Sequence, residues 1–400
     1  DTLVSRYNIG GVMFMQGGPV RQARLTNRFQ SRAKVPMLVA MDAEWGLGMR
    51  LDSTMQFARQ MTLGAMNDEK YVYLMGREIA LKMKRLGVNV SFSPVLDVNV
   101  NPKNPVIGNR SFGETKEEVT RRGIAYIRGL QDHGVVAVAK HFPGHGDTDV
   151  DSHHALPVVN HDMKRLTEVE LYPFHKSFEA GVMGVMVAHL YMPKIDSTRN
   201  LATTLSKPLV TGLLQEKMKY KGLVFTDALN MKGVSKYYKP GEVDLRALMA
   251  GNDVLLFPED VPAAVKKIKG AIAAKQITQE EVDQHVRKIL HTKYWAGLTS
   301  PKPVALDNLA EEIERPVSQV VQEQIYDNAV TVVQNKTSLL PFRTLDTLSI
   351  ASVAVGVTEV NKFQETLGYY APVNKFAISD RFAPDSAFAK IIPKLKDNNV

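Results

Sequence analysis

The chain has 400 residues, of which 44% are hydrophobic and 23% are charged, and these proportions are typical of a globular protein long enough for two domains. The formal charge of +8 comes from dispersed lysines and arginines, without the basic run interleaved with aromatic residues that would indicate nucleic-acid binding. The absence of cysteine excludes disulfides, thiolate catalysis and cysteine-ligated zinc.

Short apolar segments alternate with amphipathic stretches through about residue 298. The predicted strands lie at 10–15, 37–41, 89–92, 135–139, 182–188, 222–226 and 253–257. Helical patterns such as 117–131 and 261–274 lie between them, and this alternation predicts a parallel α/β architecture. No apolar run approaches the roughly 20 residues of a membrane span, and no signal peptide is visible.

Polar residues stand where several of these strands end. Asp42, Asp97, His141, His189 and Asp227 each follow an apolar segment. Active-site residues gather at the carboxyl ends of many strands in a TIM-type (β/α)8 barrel, whereas a doubly wound sheet binds its ligands at one switch point. The distribution of these residues over many strands therefore predicts a barrel.

The predicted domains are a catalytic barrel over residues 1–300, a proline-punctuated linker over 301–316 and the start of a second, smaller α/β sandwich domain over 317–400. The elements predicted after the linker are a helix near 317–329, an apolar run at 330–333, strands at 348–355 and 373–378, and a helix near 359–367. A strand begins almost at the first residue, and the last residues resemble a helix end. We therefore expect a fragment of a longer protein with an incomplete second domain, and an additional domain could follow Val400.

One segment concentrates proton-transfer groups, because four of the chain's ten histidines lie within residues 140–154. Asp151 and His153 are two residues apart, so in an extended chain their side chains point the same way. The carboxylate could then orient the imidazole ring and favour its protonated form, which suits general acid/base chemistry. The alternative is an aspartate that caps a turn beside a surface histidine.

The same segment also raises a metal hypothesis, because His141, His145, Asp147 and His153 are all potential ligands. The segment contains no zinc motif of the His-Glu-x-x-His kind, and its spacing matches no established ligand pattern. We therefore predict that these residues do not form a metal site.

Further site residues are predicted outside this segment. Asp227 follows an apolar strand and could be a nucleophile or an electrostatic stabiliser, or the N-cap of the next helix. Asp42, Glu44, Arg50 and Arg110 suit a ligand with many hydroxyl groups, because carboxylates and guanidinium groups make paired hydrogen bonds; surface ion pairing is the alternative. His189 could belong to the site or be a buried structural histidine.

Together these residues resemble glycoside hydrolase family 3, and within it the β-N-acetylglucosaminidases, over most of residues 9–298. The most specific element is Lys-His-Phe-Pro-Gly-His-Gly-Asp-Thr at 140–148, followed by Asp151-Ser152-His153. The supporting segments are Met41–Glu44, Phe92–Val98, Gly108–Gly113, Met186–His189 and Thr226–Met231. The residues after 317 are similar to the opening of the family's second α/β domain.

The resemblance implies a role for each matching residue. Asp227 corresponds to the catalytic nucleophile, and His153 corresponds to the general acid/base with Asp151 as its partner. The residues that correspond to those binding the sugar in the −1 subsite are Asp42, Arg50, Arg110, Lys140 and His141. Trp45 and Leu47 stand where family members often carry a glycine and an arginine, so the aglycone contacts or the packing of this loop are expected to differ.

The resemblance also implies a retaining exo-glycosidase that removes terminal β-linked N-acetylglucosamine by double displacement, without a metal or an organic cofactor. The expected partner is a GlcNAc-containing carbohydrate, either a peptidoglycan fragment or a chito-oligosaccharide. Separately, the missing cysteines and the basic pI of about 9.3 favour the cell envelope, the periplasm or the extracellular space over the cytoplasm.

Two alternative functions stay open. Phosphate could replace water as the acceptor, because a neutral histidine base repels an anion less than a carboxylate does. The chain could also be a non-catalytic sugar-binding domain or a scaffold within a larger fusion protein. A β-glucosidase is a weaker alternative, because family members of that kind usually take their acid/base from the second domain and lack the Asp-Ser-His segment.

Overall fold

The computed structural model describes residues 1–152, 155–336, 338–380, 382–398 and 400. The chain divides into two compact units, Asp1–Val330 and Thr331–Val400. Among the described residues, no helix combines the length and the hydropathy that crossing a membrane would need.

The first unit is built on a parallel sheet, as the alternation of segments predicted. In its described part the strands are β1 (Gly11–Phe14), β2 (Leu38–Met41), β3 (Val90–Ser91), β4 (Val136–Phe142), β5 (Gly184–Val187) and β6 (Leu223–Thr226). They lie side by side in chain order, and every neighbouring pair is parallel. Their carboxyl ends therefore meet at one edge of the sheet.

The strand predicted at 253–257 is wrong, because this segment makes only an isolated bridge between Val254 and Phe225. Beyond Val254 the backbone forms hydrogen bonds with groups outside the sheet ladder. The Leu256 N–H donates to the Thr226 hydroxyl at 2.9 Å, and the Leu256 carbonyl accepts from the Leu229 N–H at 2.9 Å. These bonds hold the segment against the end of β6 without extending the ladder.

Both faces of the sheet are apolar, as is usual for parallel sheets. Leu38 and Val136 belong to one buried cluster together with other strand residues. The residues next to them, Val39 and Ala137, belong to a second cluster that includes the helices. This division follows the period-two alternation of side chains along a strand, and it leaves the strand ends as the place for polar chemistry.

The helices of the first unit agree with the predicted helical patterns at 117–131 and 261–274. They are α1 (Thr2–Tyr7), α2 (Pro19–Gln30), α3 (Gln60–Gly64), α4 (Lys70–Arg85), α5 (Lys116–Gln131), α6 (Met163–Glu168), α7 (Leu171–Glu179), α8 (Lys232–Ser235), α9 (Glu242–Ala250), α10 (Val261–Ala273), α11 (Gln279–Trp295), α12 (Leu309–Ile313) and α13 (Pro316–Ala329). Shorter turns are 3₁₀ segments at Leu47–Met49, Gly108–Arg110 and Thr203–Leu205, and a π-helical segment at Pro208–Lys217. The Asp260 carboxylate accepts from the Ala263 N–H at 2.9 Å and thereby caps α10.

Helix α13 belongs to the first unit, whereas the sequence placed the start of the second domain at residue 317. Its Val321 and Ile325 side chains are buried in the first unit's core. Glu78 on α4 accepts hydrogen bonds from Arg315 Nε at 2.9 Å and from the Ser318 hydroxyl at 3.0 Å. The structural division therefore lies after this helix, because both apolar and ionic contacts attach the helix to α4.

The second unit contains two parallel strands in register, β7 (Ile350–Val355) and β8 (Val373–Ile378), close to the predicted positions. Its helices are α14 (Lys362–Leu367), α15 (Asp385–Ala389) and α16 (Ile392–Leu395). The predicted apolar run at 330–333 forms no strand: Val333 is 94% exposed. No neighbouring strand pairs with that run in the described part of the chain.

Candidate active site

Four of the predicted site residues come together at the carboxyl ends of the strands. Asp42 directly follows β2, Lys140 and His141 lie near the end of β4, and Asp227 directly follows β6. Strand β4 was predicted to end at residue 139, and its continuation to Phe142 explains the burial of Lys140 and His141, which are 2% and 6% exposed. The sheet therefore brings polar side chains from distant parts of the sequence to one edge.

Lys140 is at the centre of a network of alternating charges. Its Nζ donates to Asp42 Oδ1 at 2.8 Å and lies 2.7 Å from Glu44 Oε1. Arg50 forms an ion pair with the other Asp42 oxygen. Arg110 donates two parallel hydrogen bonds to Glu44, from Nε at 2.9 Å and from Nη2 at 2.6 Å. Four of the five residues predicted to bind the sugar thus share one network, and Glu44 joins them.

The charges in this network stabilise one another. Burial alone would raise the pKa of the Glu44 carboxyl, but the charges of Lys140 and Arg110 outweigh it and hold that pKa far below its usual range. Burial would lower the pKa of Lys140, yet Asp42 and Glu44 raise it above its usual value. Both cations and the Glu44 carboxylate are therefore ionised at neutral pH, and the network presents fixed donors and acceptors.

His141 is oriented by a buried carboxylate. Its Nδ1 lies 2.7 Å from Asp97 Oδ2, and Asp97 Oδ1 accepts from the backbone N–H of His145 at 2.7 Å. Burial acts to raise the pKa of Asp97, but the charge and hydrogen bond of His141 lower it on balance. Because the ionised carboxylate only accepts, Nδ1 carries a proton, and Nε2 faces Arg110 Nη2 at 3.4 Å.

Asp227 is held as a carboxylate at this edge. Its Oδ1 accepts from the Ala228 N–H at 2.7 Å. Burial tends to raise the pKa of Asp227, but the charges of His189 and His141, the Ala228 hydrogen bond and the charge of Lys140 together lower it. The residue is partly exposed, so an ionised carboxylate faces the space beside the charged network.

The segment that carries the predicted acid/base pair is anchored through His145. Its Nδ1 lies 2.8 Å from the Thr148 hydroxyl, and its Nε2 lies 3.1 Å from the Ser152 hydroxyl. Asn104 donates to the His145 carbonyl at 2.8 Å. Ser152 is next to Asp151, whose carbonyl accepts from the Ala155 N–H at 3.1 Å. His153, the predicted acid/base, lies outside the described residues.

Three of the four residues of the metal hypothesis contact other side chains, and the fourth, His153, lies outside the described residues. His141 is paired with Asp97, His145 with two hydroxyl groups, and Asp147 with His161 at 2.9 Å. Within the part of the chain that the structure describes, no three histidine or carboxylate side chains are grouped as a metal site.

The two departures from the family pattern are packing residues. Leu47 is 1% exposed and belongs to the main apolar core. The Arg59 guanidinium lies 4.0 Å from the centre of the Trp45 ring, a geometry typical of a cation–π contact. Arg50 reaches Asp42 from the same loop, so the changed residues are accommodated while the contact between the two predicted sugar-binding residues is kept.

Two members of this site are not identified by the sequence. Asp97 stands out there only as a residue after a strand, and His145 only as a potential metal ligand. The structure buries both of them, as it buries Glu44, with Glu44 and Asp97 entirely excluded from solvent. A carboxylate directly after an apolar segment was the available signal for Asp97; its partner could not be read from the sequence.

Comparison with protein families gives one clear match. The family described as "Glycosyl hydrolase family 3 N terminal domain" matches residues 1–292. A beta-hexosaminidase A from Pseudoalteromonas piscicida is 31% identical over 376 residues, which cover 85% of this chain and 62% of that relative. The chain thus spans less than two thirds of the relative's length.

Two solved structures are similar over nearly the whole chain. A glycoside hydrolase family 3 beta-N-acetylglucosaminidase from Paenibacillus sp. str. FPU-7 superposes with a TM-score of 0.84 at 33% identity, covering 99% of this chain and 78% of that one. A beta-glucoside phosphorylase, BglX, superposes with a TM-score of 0.82 at 26% identity, covering 94% of this chain and 71% of that one.

Proposed function

The chain belongs to glycoside hydrolase family 3, and we propose that it is a retaining exo-glycosidase that removes terminal β-linked N-acetylglucosamine. The observation that carries the proposal is the ionised Asp227 carboxylate beside the network of Asp42, Lys140 and Arg110. A nucleophile next to a dense set of fixed donors and acceptors is what cleavage of a glycosidic bond in a polyhydroxylated ring requires.

The charged network is the proposed −1 subsite. Asp42 and His141 Nε2 can accept from sugar hydroxyls, while Arg50, Arg110 and Lys140 can donate to them. Their mutual ion pairs keep these groups in position before the sugar arrives, so binding loses little rotamer freedom. The charges remain fixed at neutral pH, which supports tight orientation of the anomeric carbon relative to Asp227.

The proposed reaction is a double displacement. An Asp227 carboxylate oxygen forms a bond to the anomeric carbon while the bond to the leaving oxygen breaks, and His153 gives its proton to that oxygen. Asp151 orients His153 and favours its protonated form. In the second half, neutral His153 takes a proton from water, the water oxygen bonds to the anomeric carbon, and the electron pair of the ester bond returns to Asp227.

We also propose that the parallel sheet belongs to a TIM-type (β/α)8 barrel and that residues 331–400 begin a second, smaller α/β domain. The strand order supports the barrel, because it follows the chain without reversal. The cluster of Leu38, Val136 and Leu223 on one face of the sheet gives further support, since barrel interiors are filled by layers of such side chains.

The proposed substrates are peptidoglycan fragments or chito-oligosaccharides with a terminal GlcNAc. Phosphorolysis is the second candidate reaction, because one of the similar solved structures is a beta-glucoside phosphorylase. In that reaction a phosphate oxygen would replace water in the second displacement, and the product would be a sugar 1-phosphate. A non-catalytic sugar-binding role is the outcome left if neither reaction occurs.

The deciding experiment measures release of p-nitrophenol from the β-N-acetylglucosaminide and from the β-glucoside, with and without phosphate. We expect turnover of the N-acetyl substrate, and its loss in Asp227→Ala. Asp327→Ala, which removes an exposed carboxylate from α13, is the matched control and should keep full activity. GlcNAc 1-phosphate among the products would establish phosphorolysis instead, and saturable GlcNAc binding without turnover would leave a binding function.

A further inference from the structure

His189 is a buried histidine that the proposed mechanism does not use. It follows β5 and is 0% exposed. Its Nε2 lies 3.0 Å from the carbonyl oxygen of Ala228, and its Nδ1 lies 2.7 Å from the hydroxyl oxygen of Thr204. A carbonyl oxygen can only accept, so the Nε2 position must carry a proton.

The surroundings of Thr204 decide what the other ring nitrogen carries. The Thr204 hydroxyl lies 2.7 Å from the carbonyl oxygen of Ala188, a second pure acceptor. The hydroxyl has one hydrogen, and when it donates to Ala188 its oxygen can only accept from His189 Nδ1. In that arrangement both ring nitrogens of His189 carry protons and the ring is a cation, whereas a Thr204 hydroxyl that donates to Nδ1 would leave the ring neutral, since the Ala188 carbonyl also accepts from the Thr203 hydroxyl.

A buried cation is stable only beside a negative charge, and Asp227 supplies one. The positive charge of His189 is the strongest of the influences that lower the pKa of Asp227 against the effect of burial. The two residues follow neighbouring parallel strands, β5 and β6. Their juxtaposition is therefore a direct consequence of the sheet.

Ala228 connects the two residues through its backbone. Its carbonyl oxygen accepts from His189, and its N–H donates to Asp227 Oδ1 at 2.7 Å. The Asp227 N–H is itself held by the Val187 carbonyl at 3.0 Å. Without the His189 bond the Ala228 carbonyl would lose its partner and the Ala228 backbone could shift. The hydrogen bond from the Ala228 N–H that orients the Asp227 carboxylate would then weaken.

We propose that His189 is a positioning residue for Asp227, acting as an imidazolium that anchors the Ala228 carbonyl and stabilises the carboxylate by its charge. This inference rests on the proposed function of Asp227 as nucleophile. When the ester bond to Asp227 breaks and its electron pair returns to the carboxylate, the nearby cation stabilises the restored negative charge.

Two amide variants distinguish the effect of the hydrogen bond from His189 to the Ala228 carbonyl from the effect of the positive charge on His189. Glutamine in His189→Gln can place an N–H where Nε2 was, whereas the shorter asparagine in His189→Asn can replace only Nδ1. We expect kcat for the N-acetylglucosaminide to fall about 100-fold in His189→Asn, as for a displaced catalytic group, and roughly 10-fold or less in His189→Gln. KM should change little in both, because Ala228 and His189 lie outside the proposed sugar-binding network.

The pH profile of kcat/KM tests whether His189 is positively charged. Among the described residues, the charged or titratable groups that act on Asp227 include His189, His141, Lys140 and His145, and only His189 differs in these variants. Both should move the acidic limb of kcat/KM upward by about 1 pH unit or more, since each removes a positive charge beside a carboxylate. If His189 were only structural, both substitutions would lower thermal stability, the acidic limb of kcat/KM would stay in place, and the two variants would have equal kcat values. This result would overturn the proposal.

A spectroscopic measurement on the full chain keeps the inference independent of turnover. In protein labelled with ¹⁵N in its histidines, the His189 ring is assigned by its disappearance in His189→Gln. Two protonated nitrogens at pH 7 would support the inference even if no substrate is hydrolysed, in which case the proposed function alone fails. A bare nitrogen in this ring at pH 7 would refute the imidazolium. Thr204→Val, which removes the acceptor for Nδ1, should produce that bare nitrogen.

Discussion

Replacing His145 with glutamine should make the stability of the first unit less dependent on pH. His145 is 1% exposed, and both its ring nitrogens are engaged by hydroxyl groups. Burial, with a smaller contribution from the charge of His141, lowers the pKa of His145 from 6.5 to about 4. Glutamine cannot take up a proton in this range, so the variant removes this titration from the folded and the unfolded chain alike.

The direction and size of the effect follow from linkage. Below pH 6.5 the unfolded chain binds a proton at His145 before the folded chain does, so the contribution to stability is present above that pH and is lost as the pH falls toward 4. The difference between 6.5 and about 4, at about 1.36 kcal/mol for each pH unit, corresponds to about 3 kcal/mol. The advantage of the wild type over the variant should therefore shrink by about 3 kcal/mol between pH 7 and pH 4.

Urea unfolding followed by tryptophan fluorescence measures this difference. Both tryptophans, Trp45 and Trp295, lie in the first unit, so the signal reports on that unit. His175→Gln removes a half-exposed histidine from α7, leaves the His145 contacts intact and should keep the wild-type pH dependence. A constant difference between wild type and His145→Gln from pH 7 to pH 4 would refute the reasoning.

Three further substitutions test other parts of the site. Glu44→Gln should lower the free energy of unfolding by roughly 3 kcal/mol, because it leaves the buried Lys140 with one carboxylate fewer; urea unfolding measures it. Gly146→Ala should lower kcat by about 10-fold or more, because a Cβ at this position would lie 1.8 Å from the Val98 carbonyl oxygen and displace the acid/base segment. Asp151→Asn should lower kcat about 100-fold for an alkyl glycoside but far less for a dinitrophenyl glycoside, whose leaving oxygen needs no proton.

A specific result would contradict each of these three expectations. Unchanged stability in Glu44→Gln would mean that the ion pair contributes nothing beyond its own desolvation cost. Full activity in Gly146→Ala would show that the backbone of this segment can shift without consequence. An equal loss of activity on both glycosides in Asp151→Asn would contradict its role in proton donation.

The strand ends of the active site were predictable because parallel strands have a strong sequence signature. The apolar runs that form β2, β4 and β6 are each followed or ended by an ionisable residue, and this pattern alone indicates Asp42, Lys140, His141 and Asp227. The same pattern gave a wrong prediction for the segment 253–257, which forms no strand. The apolar run at 253–257 has the composition of a strand, but its backbone bonds go to Thr226 and Leu229.

The partners within the site could not be predicted, because they lie far apart in the chain. His141 meets Asp97 from 44 positions away, and Arg110 meets Glu44 from 66 positions away. A sequence shows that a carboxylate follows a strand, but only the register of neighbouring strands decides which cation it meets. The roles of Asp97 and Glu44 follow from this placement of the strands and their loops, whereas the ring of His145 contacts Thr148 and Ser152 within its own segment.

The attachment of α13 to α4 has a practical consequence for protein engineering. A first unit trimmed at residue 300 or 316 would expose the groove that Val321 and Ile325 fill and would remove the Ser318 donor from the buried Glu78 carboxylate. The cut at 300 would remove the Arg315 donor as well. An exposed apolar groove of this kind promotes aggregation. Glu78 would keep its bonds to Arg77, but a buried carboxylate that loses other donors destabilises its surroundings. A shortened protein should therefore keep the chain through Ala329 so that α4 retains its contacts with α13.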